Sequence, residues 1–162
     1  MLIALLAVVF TSFAQDQSKP LQSPRASSKG NHMSVDYGQP SVRGRVIFGD
    51  HEPYGKVWRT GANEATEVTF DKDCMVGGKP VKAGTYTLFT IPEKNEWTII
   101  LNSQLKQWGA FKYDNYKDKD VLNIKVPVKP LPQVQEKLII QPRPEGLYIA
   151  WEKVSVLVPV KF

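Results

Sequence analysis

The sequence predicts an all-β domain, an antiparallel β-sandwich or jelly roll of about nine strands. Three observations lead there. Nearly every periodic stretch has period two, and turn signals recur at short intervals. Residues 103–120, where a helix would have room, carry Gly109 and no helical periodicity. A closed barrel is the alternative architecture for the same pattern.

Residues 1–14, MLIALLAVVFTSFA, are an apolar block ending in small residues, the form of a secretory signal peptide. The block is shorter than the roughly 20 residues a membrane-spanning helix needs, so no transmembrane span is expected. Met1 is not followed by Lys or Arg, which is atypical of such leaders. Residues 15–33 are rich in Ser, Gln, Lys and Pro and read as a flexible linker. Residues 34–162 then form a single domain, long enough for a real core.

Val42, Gly44, Val46 and Phe48 alternate with Arg43, Arg45 and Ile47, which predicts a strand with two arginines on one face. Thr66–Phe70 alternates as a half-buried strand. Cys74-Met75-Val76 runs into the turn Gly77-Gly78-Lys79-Pro80. Ala83–Ile91 is β-branched and aromatic throughout, suiting a strand covered on both faces. Pro92–Asn95 turns it into Trp97–Asn102, a hairpin of two strong strands. Residues 103–120 read as a loop with one short strand at Ala110–Tyr113, its aromatics covering a sheet edge or lining a ligand site. Val121–Val128 resumes strand with Leu122, Ile124, Val126 and Val128 inward, and Pro127 and Pro130 push its end to an edge. Glu136–Gln141, Leu147–Trp151 and Val154–Val160 are three further short strands. Trp97 and Trp151 are expected in the core, and Tyr86 is expected to bond back to its connecting loop.

The blocks SVDYGQPSVRGRVIFG, PYGKVWRTGANEAT, KAGTYTLFTIP, EWTIILN, WGAFKYD and LYIAWEKVSVLVPV come in the order of the DUF2911 domain, which this chain resembles over roughly residues 33–162. The resemblance implies an exported bacterial protein of a kind frequent in Bacteroidetes-type genomes. It implies no activity. Asp50-His51-Glu52 stands where the family pattern has a more apolar pair, and Asn123 where Arg is common, so no family-wide role is carried to His51.

Composition narrows the function classes. The single cysteine, Cys74, excludes an intramolecular disulfide and sits in a strand-like run as a small buried residue. The formal charge of +5 is spread singly along the chain, without a basic run or nucleic-acid motif. It mildly favours anionic partners, and no nucleic acid is expected. No G-x-S-x-G, H-E-x-x-H, paired-cysteine or calcium-loop pattern is present, so no metal or cofactor is expected. Asp71 with Asp73, and Asp114, Asp118 and Asp120, read as solvated turn residues.

The unusual stretch is residues 40–66, and within it the loop 49–64. Long ordered loops in compact domains are often functional. Arg43, Arg45 and Arg59 offer planar guanidiniums for carboxylate, phosphate or sulfate. Trp58 offers a stacking platform, and Asn63 and Glu64 would orient a ligand. The expected function is ligand binding, to an anionic glycan or peptide, through Arg43, Arg45, Trp58, Arg59, Asn63 and Glu64. Two alternatives stand beside it. One is an envelope hydrolase using Glu64 with His51 or Glu152; the other is a structural or assembly module whose partner is a protein. A scaffold role for the same residues would pair Arg45 or Arg59 with Glu64 and leave at least one arginine over.

Overall fold

The computed structural model describes residues 23–162, so the expected leader and residues 15–22 of the expected linker lie outside the described residues. Among these there are nine strands: β1 (Arg25–Lys29), β2 (Met33–Gly38), β3 (Thr66–Phe70), β4 (Cys74–Val76), β5 (Lys79–Val81), β6 (Gly84–Pro92), β7 (Glu96–Asn102), β8 (Asp120–Arg143) and β9 (Gly146–Lys161). All neighbours are antiparallel, in the order β1-β2-β3-β6-β7-β8-β9-β4-β5. The all-β class stands, and the sheet is folded over itself in the manner of a sandwich.

The fold-over comes from β8. Up to Pro127 this strand pairs with β7, and from Val128 onward it pairs with β9. The register breaks between Pro130 and Gln135 and again before Ile139. Pro127, Pro130 and Pro132 cannot donate to a ladder, so the strand bends there. It does not stop: the expected separate strands Glu136–Gln141, Leu147–Trp151 and Val154–Val160 are segments of two long ones, β8 and β9. Leu138 then donates its N–H to Pro40 O (3.0 Å), Val42 to Glu136 O (2.8 Å), and Ser28 Oγ to Ile140 O (2.6 Å). These bonds bring the β1–β2 edge onto the far half of β8.

Alternation along the strands fills the space between the layers. In β3, Thr66, Val68 and Phe70 are buried and Glu67 and Thr69 half-buried. Strand β6 is covered on both faces: Leu88 lies in the main core with Val68, Trp97, Ile140 and Trp151, and Phe89 in a second cluster with Ala65, Ile100 and Tyr113. Gly77 and Gly78, both at positive φ (54° and 82°), form the two-residue turn of the β4–β5 hairpin. The Tyr86 hydroxyl donates to Lys82 O at 2.8 Å, the loop-back bond that its place in the strand predicts. Tyr86→Phe is therefore expected to lower stability by about 1 kcal/mol in chemical denaturation, one net hydrogen bond, with the slope of the transition unchanged.

Three local expectations are corrected. Residues 25–29, expected in the flexible linker, are strand β1, paired with Ser34–Gly38 of β2. An edge strand is held by backbone bonds on one side, so RASSK needs no apolar run; an Arg25–Asp36 ion pair adds to it. Residues 42–48 are not a strand. Arg43 and Gly44 sit at positive φ (49° and 71°), and Arg45 N–H bonds back to Val42 O at 3.1 Å, so the chain turns. Arg43 and Arg45 thus do not share a strand face. Finally, Tyr113–Lys119 is a 3-10 helix, where a short strand at Ala110–Tyr113 was expected. Tyr113 anchors it from the buried side, its hydroxyl donating to Asp120 Oδ2 at 2.5 Å.

Candidate functional site

The loop after β2 runs back along the core. Trp58 exchanges both backbone bonds with Thr90 (2.7 and 3.0 Å), taking the place beside β6 just before β3 begins. Its side chain turns inward and is 2% exposed. The indole stacks on Trp151 (5.8 Å, 14°) and meets the edges of Trp97 and Phe48. Its Nε1–H donates to Gly61 O at 3.2 Å. Trp58 is a core residue. It offers no face to a ligand, which overturns its expected stacking role.

Below it the chain is tied by hydroxyls. Thr66 Oγ1 donates to Thr60 O (2.7 Å), and Thr60 Oγ1 bonds Thr90 Oγ1 (3.1 Å), all fully buried. Asn63 sits at φ 62° and uses its amide on Ser23 O (3.0 Å). Its own carbonyl accepts from Gly109 N–H and from Arg59 Nη1. Asn63 is thus a loop tie. Glu64 is exposed, and its carboxylate faces Arg25 at 3.5 Å. The pair expected for Glu64 with Arg45 or Arg59 is not formed; its partner comes from β1.

The expected site residues therefore do not gather round one concavity. Arg43 is exposed on its turn, its backbone N–H donating to Glu136 Oε1. Arg45 and Arg59 both act electrostatically on His51 and Glu52. Arg45 is held by Val42 O (3.0 Å) and Ser41 O (2.7 Å), and its Nη1 lies 3.1 Å from His51 Nε2. Glu52, half-buried in the turn closed by Glu52 N–H to Ile47 O, feels both Arg45 and Arg59. Burial pushes its carboxyl up to about 7, against the pull of Arg59 and then Arg45. Burial, with Arg45 next, lowers His51. Among the described residues neither Arg45 nor Arg59 has a carboxylate within salt-bridge distance.

The expected hydrolytic pairs do not form. Glu152, half-buried at φ 55°, accepts the Phe48 N–H (3.3 Å), and no hydrogen bond joins Glu64 to His51 or Glu152 among the described residues. Among those residues no three His, Cys, Asp or Glu side chains gather as metal ligands. Asp73 is engaged by Lys82 and the Ala83 N–H, which hold its carboxyl low, and Asp71 by His32. Cys74 is buried in β4, and burial pushes its thiol up. No helix among the described residues is long and apolar enough to cross a membrane.

Next to Arg59 lies a surface outside the six expected binding residues, though its aromatics were expected to cover a sheet edge or line a ligand site. Glu64 bridges to Trp108, and Gly109 packs so closely that a Cβ there would meet the Phe111 ring at 2.6 Å and Arg59 Nη1 at 3.2 Å. Trp108 and Phe111 are 53% and 83% exposed. The signal was present as the aromatic density of residues 103–120.

The fold defines an all-β, sandwich-like domain, with Trp108 and Phe111 exposed beside the loop that follows β2. No curated protein and no solved structure matches the chain. A family model described as protein of unknown function (DUF2911) matches residues 19–160, and the chain belongs to that family.

Proposed function

We propose that this is an exported, non-catalytic binding domain that takes an anionic ligand at the face made by Arg45, His51, Glu52 and Arg59. The observation that carries it is one half-buried acid, Glu52, within electrostatic reach of two arginines that, among the described residues, have no carboxylate at salt-bridge distance. The apolar block at residues 1–14 supports export. Guanidiniums already anchored on carbonyls lose little freedom when they bind an anion. Glu52 sets the charge of the face. Above about 7 its carboxylate offsets one arginine; below, it is neutral and the face gains one positive charge. An anion bound there favours the protonated acid, so binding takes up a proton.

The test is calorimetric titration of the whole chain with an oligogalacturonate, whose carboxylates stay ionised above pH 5. Affinity is expected to rise as pH falls from 8 to 5.5. Glu52→Gln should flatten that profile, and Arg59→Ala should weaken binding about tenfold, the loss of one charged hydrogen bond. Arg59→Ala should leave the unliganded melting point almost unchanged. A large fall in that melting point with no change in binding would make the face a scaffold and sink the proposal.

One observation favours a second reading, acid–base catalysis. A carboxyl near 7 beside an imidazole suits proton transfer at neutral pH. On that reading Glu52, in place of Glu64, is the acid, and oligosaccharides should be cleaved with a rate that Glu52→Gln abolishes.

A further inference from the structure

Beside Arg59, and outside the residues the loop supplies, there is a cleft of about 300 Å³ lined by Gln104, Gln107, Trp108, Phe111, Lys112 and Tyr116, among others. Two features set it apart from the lysine-rimmed apolar groove near Met75 and Pro127, which is larger at about 660 Å³ but, among the described residues, holds no buried unpartnered polar side-chain atom. The first is its aromatic walls. Phe70, Tyr86 and three of the four tryptophans are folded into the core, yet Trp108 and Phe111 stand out in solvent and Tyr116 is only half-buried. The second is Gln107, 7% exposed, whose Oε1 has no hydrogen-bond partner among the described residues and is shut off from solvent.

The amide cannot be turned over to relieve it. Gln107 Nε2 donates to Gln104 O (2.9 Å) and faces Asn102 Oδ1 (3.4 Å), both acceptors. Asn102 is itself fixed, its Nδ2 donating to Tyr116 O and Asp120 Oδ1. Reversing Gln107 would set oxygen against oxygen twice. The orphan carbonyl is therefore an acceptor held in place without a donor, a condition that costs free energy until one arrives. Gln107 lines the same cleft as the exposed Trp108 and Phe111.

We propose that this cleft is a saccharide subsite. A pyranose ring presents an apolar C–H face, which lies flat against Trp108 or Phe111, and a hydroxyl edge, which donates to Gln107 Oε1 and bonds the Gln104 amide. Lys112 and the neighbouring Arg59 would meet a carboxylate on the same sugar. The subsite rests on the anion-binding reading only for that last charge; ring recognition belongs to the cleft.

Trp108 supplies its own reporter, because Trp58, Trp97 and Trp151 are 2%, 1% and 1% exposed. Acrylamide quenching of the whole chain therefore reads Trp108 almost alone. Cellotetraose, chitotetraose and tetragalacturonate would each be titrated against that quenching. Saturable shielding by at least one is expected, weakened about tenfold in Gln107→Leu, the value of one hydrogen bond. Phe111→Ala, at a position too exposed to matter for folding, should weaken it as well. Shielding by a neutral tetrasaccharide supports the subsite even where Arg59→Ala has no effect. If tetragalacturonate binds with Arg59 dependence but both cleft variants bind it as wild type does, the subsite is overturned and the anion reading survives. Failure of all three sugars to shield Trp108, or shielding by a proline-rich peptide alone, overturns the subsite too.

Discussion

Trp58→Ala is expected to destabilise the domain by about 3–5 kcal/mol, the cost of deleting a fully buried large aromatic. The indole is enclosed by Trp151, Trp97 and Phe48, and its deletion also leaves the Gly61 carbonyl without its donor. Edge and stacked contacts of this kind are lost together, so relaxation cannot recover them one by one. Urea denaturation of the variant should show a lower midpoint with a similar slope. Trp58→Phe keeps part of the ring contact and should lose less. An Ala variant within about 0.5 kcal/mol of wild type, the range of surface substitutions, would return Trp58 to the surface and revive its role as a platform.

The error over Trp58 shows what a sequence conceals. Residues 49–64 have the glycines and polar residues of an exposed loop, and a tryptophan there looks displayed. Its burial depends on pairing with Thr90, about thirty positions away, and no local pattern announces that bridge. The all-β class was legible because period two is local, and so was the hairpin of β6 with β7, with the turn residues between them. Strand β1 was hidden for the opposite reason: an edge strand held by its backbone can be as polar as a linker. Val42, Val46 and Ile47 imitate a strand, yet Val46 is 58% exposed while Val42 and Ile47 are buried across a turn. Of the candidate site, the guanidiniums Arg45 and Arg59 were legible from residue type. Glu52 was not, because what makes an acid unusual is its burial, and burial is tertiary.

Gly38→Ala should cost about 3 kcal/mol, the upper part of the usual range for forcing volume into a packed core. Gly38 ends β2 at a point where the 59–65 loop crosses it. A Cβ there would lie 2.7 Å from the Ala62 carbonyl carbon and closer still to its oxygen. Backbone stands on both sides of that contact, so no rotamer change relieves it. The loop must lift. Lifting breaks the bond from Ala62 N–H to Gly38 O (3.2 Å) and pulls on Gly61, whose carbonyl holds the Trp58 indole. The substitution is therefore expected to lower the denaturation midpoint and also to expose Trp58, seen as a red-shifted emission and stronger acrylamide quenching in the native baseline. Lost stability with the tryptophan signal unchanged would mean that β2 yields and the loop stays. In that case the cationic face would be anchored by the threonine knot of Thr60, Thr66 and Thr90, independently of β2.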